Sequence, residues 1–264
     1  MNRLLFFTAI FFVSLGSLTA QNSDSTEVKK KKVYTIFGNT WYYEKYEDGT
    51  SSLEMEAKDY TTNNSSHKQS KFSSDMEVDL GLNLWTPTDN APQVKPWGSW
   101  NVNLNMVGTY KAAKNFHLKT GLGVSWYNFK LEDTNLIAIK TIQGISFEGF
   151  SGGEGTKSKI SASYANVTLV PTLLTNDGKL RLGIGGYAGL RLGGRGKFVY
   201  DDASGDKQKI YEKSNMYASN VRYGVRAEIG VNDFNLFLNY DLNEVFETGK
   251  GPKLNAISFG LIFR

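Results

Sequence analysis

Few residues in this chain are of a type that does chemistry, and their spacing argues against most reactions. There are two histidines, His67 and His117, and no cysteine. A Ser or Asp nucleophile needs an imidazole within hydrogen-bond reach. Ser125 follows His117 in one alternating run, and an extended chain at about 3.3 Å per residue sets the two roughly 26 Å apart. Hydrolysis is therefore the weakest reading, and no catalytic residue is assigned. Asp133, Glu148, Glu154, Asp201, Asp202 and Asp206 offer oxygen ligands, but in no spacing that matches a Ca²⁺ loop, so they read as solvated charge. Gly183–Gly196 is glycine-rich without opening a helix, which rejects a phosphate cradle. Lacking cysteine, the chain has no disulfide and no thiolate metal site. No cofactor and no metal are expected.

What remains is a set of charges on otherwise apolar segments: Arg181, Arg191, Arg222 and Arg226 against Glu77, Asp79, Glu228 and Asp241. Their setting is clearest in 164–193, where two alternating runs flank the polar turn Thr175–Lys179. In the second run Leu180, Leu182, Ile184, Ala188, Leu190 and Leu192 share one parity, while Arg181, Tyr187, Arg191 and glycines share the other. Side chains alternate between the faces of a strand. One face is thus aliphatic, and the other carries arginine, tyrosine and glycine with almost no Lys or Glu. Lipid on the first face and a polar lumen on the second account for both.

The same alternation predicts further strands at 77–84, 99–106, 116–126, 220–229, 234–241 and 257–263, which with the two arms of the hairpin makes eight. Connections after the second, fourth and sixth strands are short; the others are longer, including 128–159 and 194–215. Strict alternation of short turns with long loops is the pattern of an up-and-down membrane barrel with both termini periplasmic. Tyr110, Phe116, Phe234 and Phe263 fall at the short-turn ends, and Trp100 and Trp126 at the other, as two aromatic girdles would. A barrel of this size is just wide enough for side chains to fill. The eight charges are expected to pair across its lumen, since buried charge must be compensated.

The first twenty residues have a basic start, an apolar run at Leu4–Val13 and a small-residue close at Ala20, which reads as a secretory signal of residues 1–20. Residues 21–76 read as a periplasmic extension, irregular and disordered over 61–74, in which Val33–Tyr46 could pair with Thr50–Ala57 as a hairpin or add strands to the barrel. Residues 77–264 are the barrel. A net charge of +4 leaves no nucleic-acid footprint. Mean hydropathy of −0.36 would suggest a soluble chain, but half of each barrel strand is polar, so hydropathy is blind to this class.

From about Asp79 onward the chain resembles the PorT-like outer-membrane β-barrel proteins of Bacteroidetes. The likeness rests on Trp100–Asn105 (WNVNLN), Thr120–Trp126 (TGLGVSW), Lys179–Gly193, Tyr240–Lys253 and the closing Ile257–Phe263 (ISFGLIF). It implies an outer-membrane location in a Gram-negative bacterium and a link to protein secretion or surface export, and it carries over no functional residue. Phe259, Leu261 and Phe263 look like the terminal signal read by barrel-assembly machinery; Arg264 departs from the usual aromatic end.

The expectation is therefore an all-β, eight-stranded antiparallel up-and-down transmembrane barrel with a short irregular periplasmic extension. Its lumen is plugged by charge pairs and its role is structural or interactive, as an accessory subunit of a surface or secretion assembly. Outer-membrane lipid and assembly machinery are the expected partners, with protein partners at 128–159 and 194–215. The apolar run Leu136–Ile139, with Ile142, Ile145, Phe147 and Phe150, reads in part as an extension of the third and fourth strands above the membrane, and its exposed remainder as a candidate docking patch. The alternatives are a small diffusion channel and a soluble ligand-binding barrel with its apolar face turned inward.

Overall fold

The computed structural model of the chain describes residues 28–36, 39–47, 51–56, 71–86 and 91–264. The signal at 1–20, His67 and most of the stretch expected to be disordered lie outside the described residues. The chain divides into two compact units, residues 1–66 and 67–264.

In the first unit β1 (Val28–Ile36), β2 (Asn39–Tyr46) and β3 (Ser51–Glu56) form an antiparallel three-stranded sheet in chain order. This corrects the irregular extension expected at 21–76. The hairpin between Val33–Tyr46 and Thr50–Ala57 does form, as β2 with β3, but Val33–Tyr46 is itself folded into two strands, with Ile36 opposite Asn39. Lys31 Nζ lies 2.7 Å from Glu44 Oε1 on the facing strand, one of the cross-strand pairs that tie this ladder.

The second unit is all antiparallel strand, with no helix among the described residues. Its elements are β4 (Phe72–Trp85), β5 (Trp100–Ala113), β6 (Phe116–Lys130), β7 (Leu136–Lys140), β8 (Ile145–Gly149), β9 (Glu154–Leu174), β10 (Leu180–Asp201), β11 (Lys207–Glu212), β12 (Val221–Val231), β13 (Phe234–Asp241) and β14 (Ala256–Phe263). Pairing runs β10, β12, β13, β14, β4, β5, β6, β9, and β9 pairs again with β10, so the sheet is ring-like. The first strand begins at Phe72, five residues before the expected Glu77. Ser74 breaks the apolar parity of Phe72 and Met76, which hid the extension in the sequence.

Short turns at Lys114–Asn115, Thr175–Lys179 and Asn232–Asp233 gather at the end where β4 begins and β14 finishes. Gly178 takes a φ of 70° inside the second of them, a conformation that costs glycine nothing. The long connections lie at the other end and are not the loops expected. In 128–159, β6 continues to Lys130, β7 and β8 make their own hairpin, and β9 starts at Glu154. In 194–215, β10 runs on to Asp201 and β11 folds back onto it. Strands that outrun the apolar alternation look like polar loop in a sequence.

A buried apolar cluster fills the ring at this long-loop end. It comprises Trp85, Val94, Tyr127, Phe129, Leu131, Ile160, Ala162, Tyr164, Met216, Ala218, Phe246, Leu254 and Ala256. Leu136, Ala138, Ile145 and Phe147 of the β7–β8 hairpin pack against it. The apolar content of 128–159 thus goes mainly into the molecule's own core, as a separate hairpin rather than as longer third and fourth strands; Ile142 at the hairpin tip stays exposed.

Candidate functional site

The inward parity toward the short-turn end of the ring is polar and buried. Glu77 and Asp79 come from β4, Asn103 and Asn105 from β5, Lys119 from β6, Arg222, Arg226 and Glu228 from β12, and Asn239 and Asp241 from β13. Their charges alternate in one continuous row. Arg264 Nε lies 2.7 Å from Glu77 Oε1, and Lys119 Nζ bridges Glu77 Oε2 at 2.9 Å and Glu228 Oε2 at 2.6 Å. Arg226 then joins Glu228 Oε1 through Nε at 2.6 Å and Asp79 Oδ2 through Nη1 at 3.1 Å. Asn103 Nδ2 donates to the same Asp79 oxygen at 3.0 Å. Three cations face three carboxylates; all but Arg264, at the exposed edge, are buried, and alternation is what makes those five buried charges tolerable.

A second group sits deeper along the axis. Arg222 Nε donates to Asp241 Oδ2 at 2.6 Å, and the Tyr187 hydroxyl donates to Asp241 Oδ1. The Arg222 guanidinium lies over the Tyr127 ring at 3.6 Å from its centroid; its two terminal nitrogens have no hydrogen-bond partner and rest on that ring instead. Tyr187 fits because it stands opposite Gly224, where a Cβ would come within 2.6 Å of its hydroxyl. Neutral pairs occupy other inward positions: Ser258 Oγ donates to Asn83 Oδ1 at 2.6 Å, and Asn166 Nδ2 to Ser125 Oγ at 2.6 Å.

Six of the eight charges expected to pair across the lumen do so: Glu77, Asp79, Arg222, Arg226, Glu228 and Asp241. Two do not. Arg181 sits beside the short turns and donates to Gly178 O and Asn235 Oδ1, at 3.1 and 3.0 Å, instead of to a carboxylate. Arg191 reaches Glu247 in the β13–β14 connection at 3.1 Å and also donates to Ala218 O. Lys119 and Arg264 take their places. Both lie on the inward parity, Lys119 with His117, Gly121 and Ser125, and Arg264 two residues after buried Ile262, so parity alone could have found them.

Phe259, Leu261 and Phe263 lie on the outward parity of β14, between β13 and β4. His117 lines a cavity of about 50 Å³ at the short-turn mouth, shared with Lys119, Arg181, Glu228 and Arg264. A second cavity, of about 20 Å³, touches Arg222, Asp241 and Tyr164. Each has room for water and little more. The loop carboxylates have local duties: Asp202 Oδ1 accepts from the Ser204 and Asp206 backbone N–H groups, and Asp133 Oδ1 from that of Asn135.

The outward face changes character along the strands. From the short-turn end, Leu122, Val167, Leu169, Leu173, Leu182, Ile184, Leu190, Leu192, Val225, Ile229, Leu236, Leu238 and Phe259 are exposed, with Tyr110, Phe116, Phe234 and Phe263 at the rim. On β6, β9 and β10 this stops at one level. Above Trp126 the outward residues are Asn128 and Lys130, above Ala165 they are Ser163, Ser161, Lys159 and Lys157, and above Leu192 they are Arg195 and Lys197. At the same level the inward residues turn from Ser125, Asn166 and Arg191 to Phe129, Ile160 and Phe198. Each strand inverts its polarity, and Trp126 opposite Ser163 fixes a common register for the switch.

No family model and no curated protein matches the chain. Solved structures do. The attachment invasion locus protein Ail of Yersinia pestis, in complex with the heparin analogue sucrose octasulfate, aligns with a TM-score of 0.30 at 13% identity, over 72% of this chain and 97% of that one. Another structure of Ail aligns with a TM-score of 0.30 at 11% identity, over 74% and 100%. A TM-score of 0.30 is too low to carry fold or function from those proteins to this one.

Proposed function

We propose that this chain is an integral outer-membrane protein, an eight-stranded transmembrane barrel whose lumen is plugged and whose role is structural or interactive. The observation that carries the reading is the polarity inversion. Below the level of Trp126 the sheet is apolar outside and polar inside, as in a lipid-embedded wall; above it the sheet is polar outside and apolar inside, as in water. A soluble ligand-binding barrel would keep its apolar side inward along its whole length. The apolar stretch of β9 from Ala165 to Leu173 is nine residues, the length a tilted strand needs to cross the hydrocarbon.

Orientation follows from the turns: the short ones face the periplasm, with both ends of the barrel strands, and the extended β9, β10 and β11 project outward. An accessory place in a surface or secretion assembly accords with the PorT-like sequence likeness, with partners bound at the projecting connections. Cell fractionation and detergent gels test the membrane reading. Outer-membrane recovery with heat-modifiable migration is expected, and recovery as a soluble periplasmic protein would overturn it. Planar-bilayer recordings should give no stable conductance, because the alternating charge row and the apolar cluster both block the axis; a steady single-channel current would establish a diffusion channel instead.

A further inference from the structure

Just above the apolar belt, the outer wall presents a row of cations that the protein leaves without counter-charge. Lys130 on β6 stands directly opposite Lys159 on β9, which stands opposite Lys197 on β10, which stands opposite Tyr211 on β11. Lys157 and Arg195 flank the row on the same parity, and Lys95 lies at its near edge, its backbone N–H bonded to Lys130 O. None of these six makes an ion pair among the described residues. Lys159 Nζ donates to Asn128 Oδ1 at 3.1 Å, and Arg195 and Lys197 lie over the Tyr211 ring. Glu212, the nearest acid on β11, is held by the Ser214 backbone N–H.

Like charges directly opposite one another on neighbouring strands repel. Three lysines in consecutive register, on strands about 4.8 Å apart, concentrate that repulsion over roughly 10 Å. An isolated sheet would gain by replacing the middle one, so the row makes sense as one half of a charge pair whose other half is supplied from outside. Its position says what supplies it. Along β6 the row is four residues beyond Trp126, and along β10 five beyond Leu192, so the apolar wall for acyl chains and the cations lie on the same strands in sequence.

We propose that Lys130, Lys159 and Lys197, with Lys95, Lys157 and Arg195, bind the phosphates of an anionic lipid headgroup whose acyl chains lie against the wall beneath. The inference rests on the transmembrane reading of the barrel. A free polyanion such as a sulfated polysaccharide would satisfy the cations but not the adjoining apolar face.

The test uses the full chain purified in a neutral detergent, titrated with micellar diphosphoryl lipid A, its dephosphorylated form, and heparin. The wild type should hold the phosphorylated lipid and release it in K130Q/K159Q/K197Q, with binding roughly a hundred-fold weaker. K111Q/K114Q/K179Q, altered at the short-turn end, should bind as wild type. Equal binding of the dephosphorylated lipid, equal binding by the first triple variant, or tighter binding of heparin than of lipid would each overturn the proposal. Heat-modifiable migration is read on every protein in parallel: its loss in the wild type refutes the barrel itself, and its presence with any of those three outcomes refutes the lipid site alone.

Discussion

The two halves of the ring's interior solve one problem by opposite means. Toward the short turns the lumen is filled by charges drawn from β4, β6 and β12 and from the last residue of the chain. Toward the long connections it is filled by Trp85, Phe129 and Ile160 from strands and Val94, Met216, Phe246 and Leu254 from loops. On the proposed membrane reading, the difference follows from what lies outside. Where the outer face meets lipid, apolar side chains lose little by pointing outward, and the interior is left to polar groups that only each other can satisfy. Where the outer face meets water, ordinary hydrophobic burial returns and the apolar side turns in. Contacts in the first half are specific, since each carboxylate has a named cation; in the second they are shared, as in the stack of Trp85 on Phe129 with ring centroids 5.1 Å apart.

Removing one member of the charged row should break the comparison most. Arg226→Ala leaves Asp79 without its cation and Glu228 with Lys119 only, in a site where Asp79 is fully buried. A loss of about 3–5 kcal/mol is expected in urea unfolding from detergent or bilayers. Arg226→Met combined with Asp79→Leu and Glu228→Gln should recover much of it, because the desolvation cost goes with the charges. A triple variant no more stable than Arg226→Ala would show the row to be needed as charge, not merely as filling.

Leu131→Ala probes the other half. Leu131 is fully buried where β6 ends, and deleting it should cost about 2–5 kcal/mol if the cavity persists. The loss should be local. Limited proteolysis should cut the β7–β8 and β10–β11 hairpins faster while heat-modifiable migration is kept; if the whole barrel instead unfolds at the same lowered urea concentration as for Arg226→Ala, the halves are one cooperative unit and the comparison fails.

How far the sequence carried depended on the same division. Below the level of Trp126, strict parity placed the strands from Glu77 to Phe263 and the six inward charges that do pair. It placed Arg181 and Arg191 wrongly, because parity tells which face a residue takes but not its height along the axis, and partners must match in height. Lys119 shares the inward parity, but nothing in its sequence neighbourhood tells that its ammonium bridges Glu77 and Glu228. In the water-facing part the inverted pattern of β9 and β10, with Lys outside and Ile160 or Phe198 inside, reads as the end of a strand when the template is a lipid-facing one. The sheet β1–β3 escaped because the run Lys29–Lys32 and the consecutive aromatics Trp41–Tyr43 interrupt the alternation along each strand.

The smallest effect separates the rim of the charged half from its centre. Arg264 pairs with Glu77, but its side chain is 37% exposed while that of Glu77 is 3% exposed. Water screens the pair from one side, and Glu77 keeps Lys119 as a buried partner when the arginine is removed. Arg264→Ala should therefore cost at most about 1 kcal/mol, against several for Arg226→Ala, although both are arginines in the same row. Adding salt should narrow the gap between wild type and Arg264→Ala and leave that for Arg226→Ala nearly unchanged, since buried pairs are screened far less than exposed ones. Equal costs for the two arginines, or equal salt dependence, would mean that the mouth near His117 is closed to water. Arg264 would then belong to the sealed row rather than to its edge.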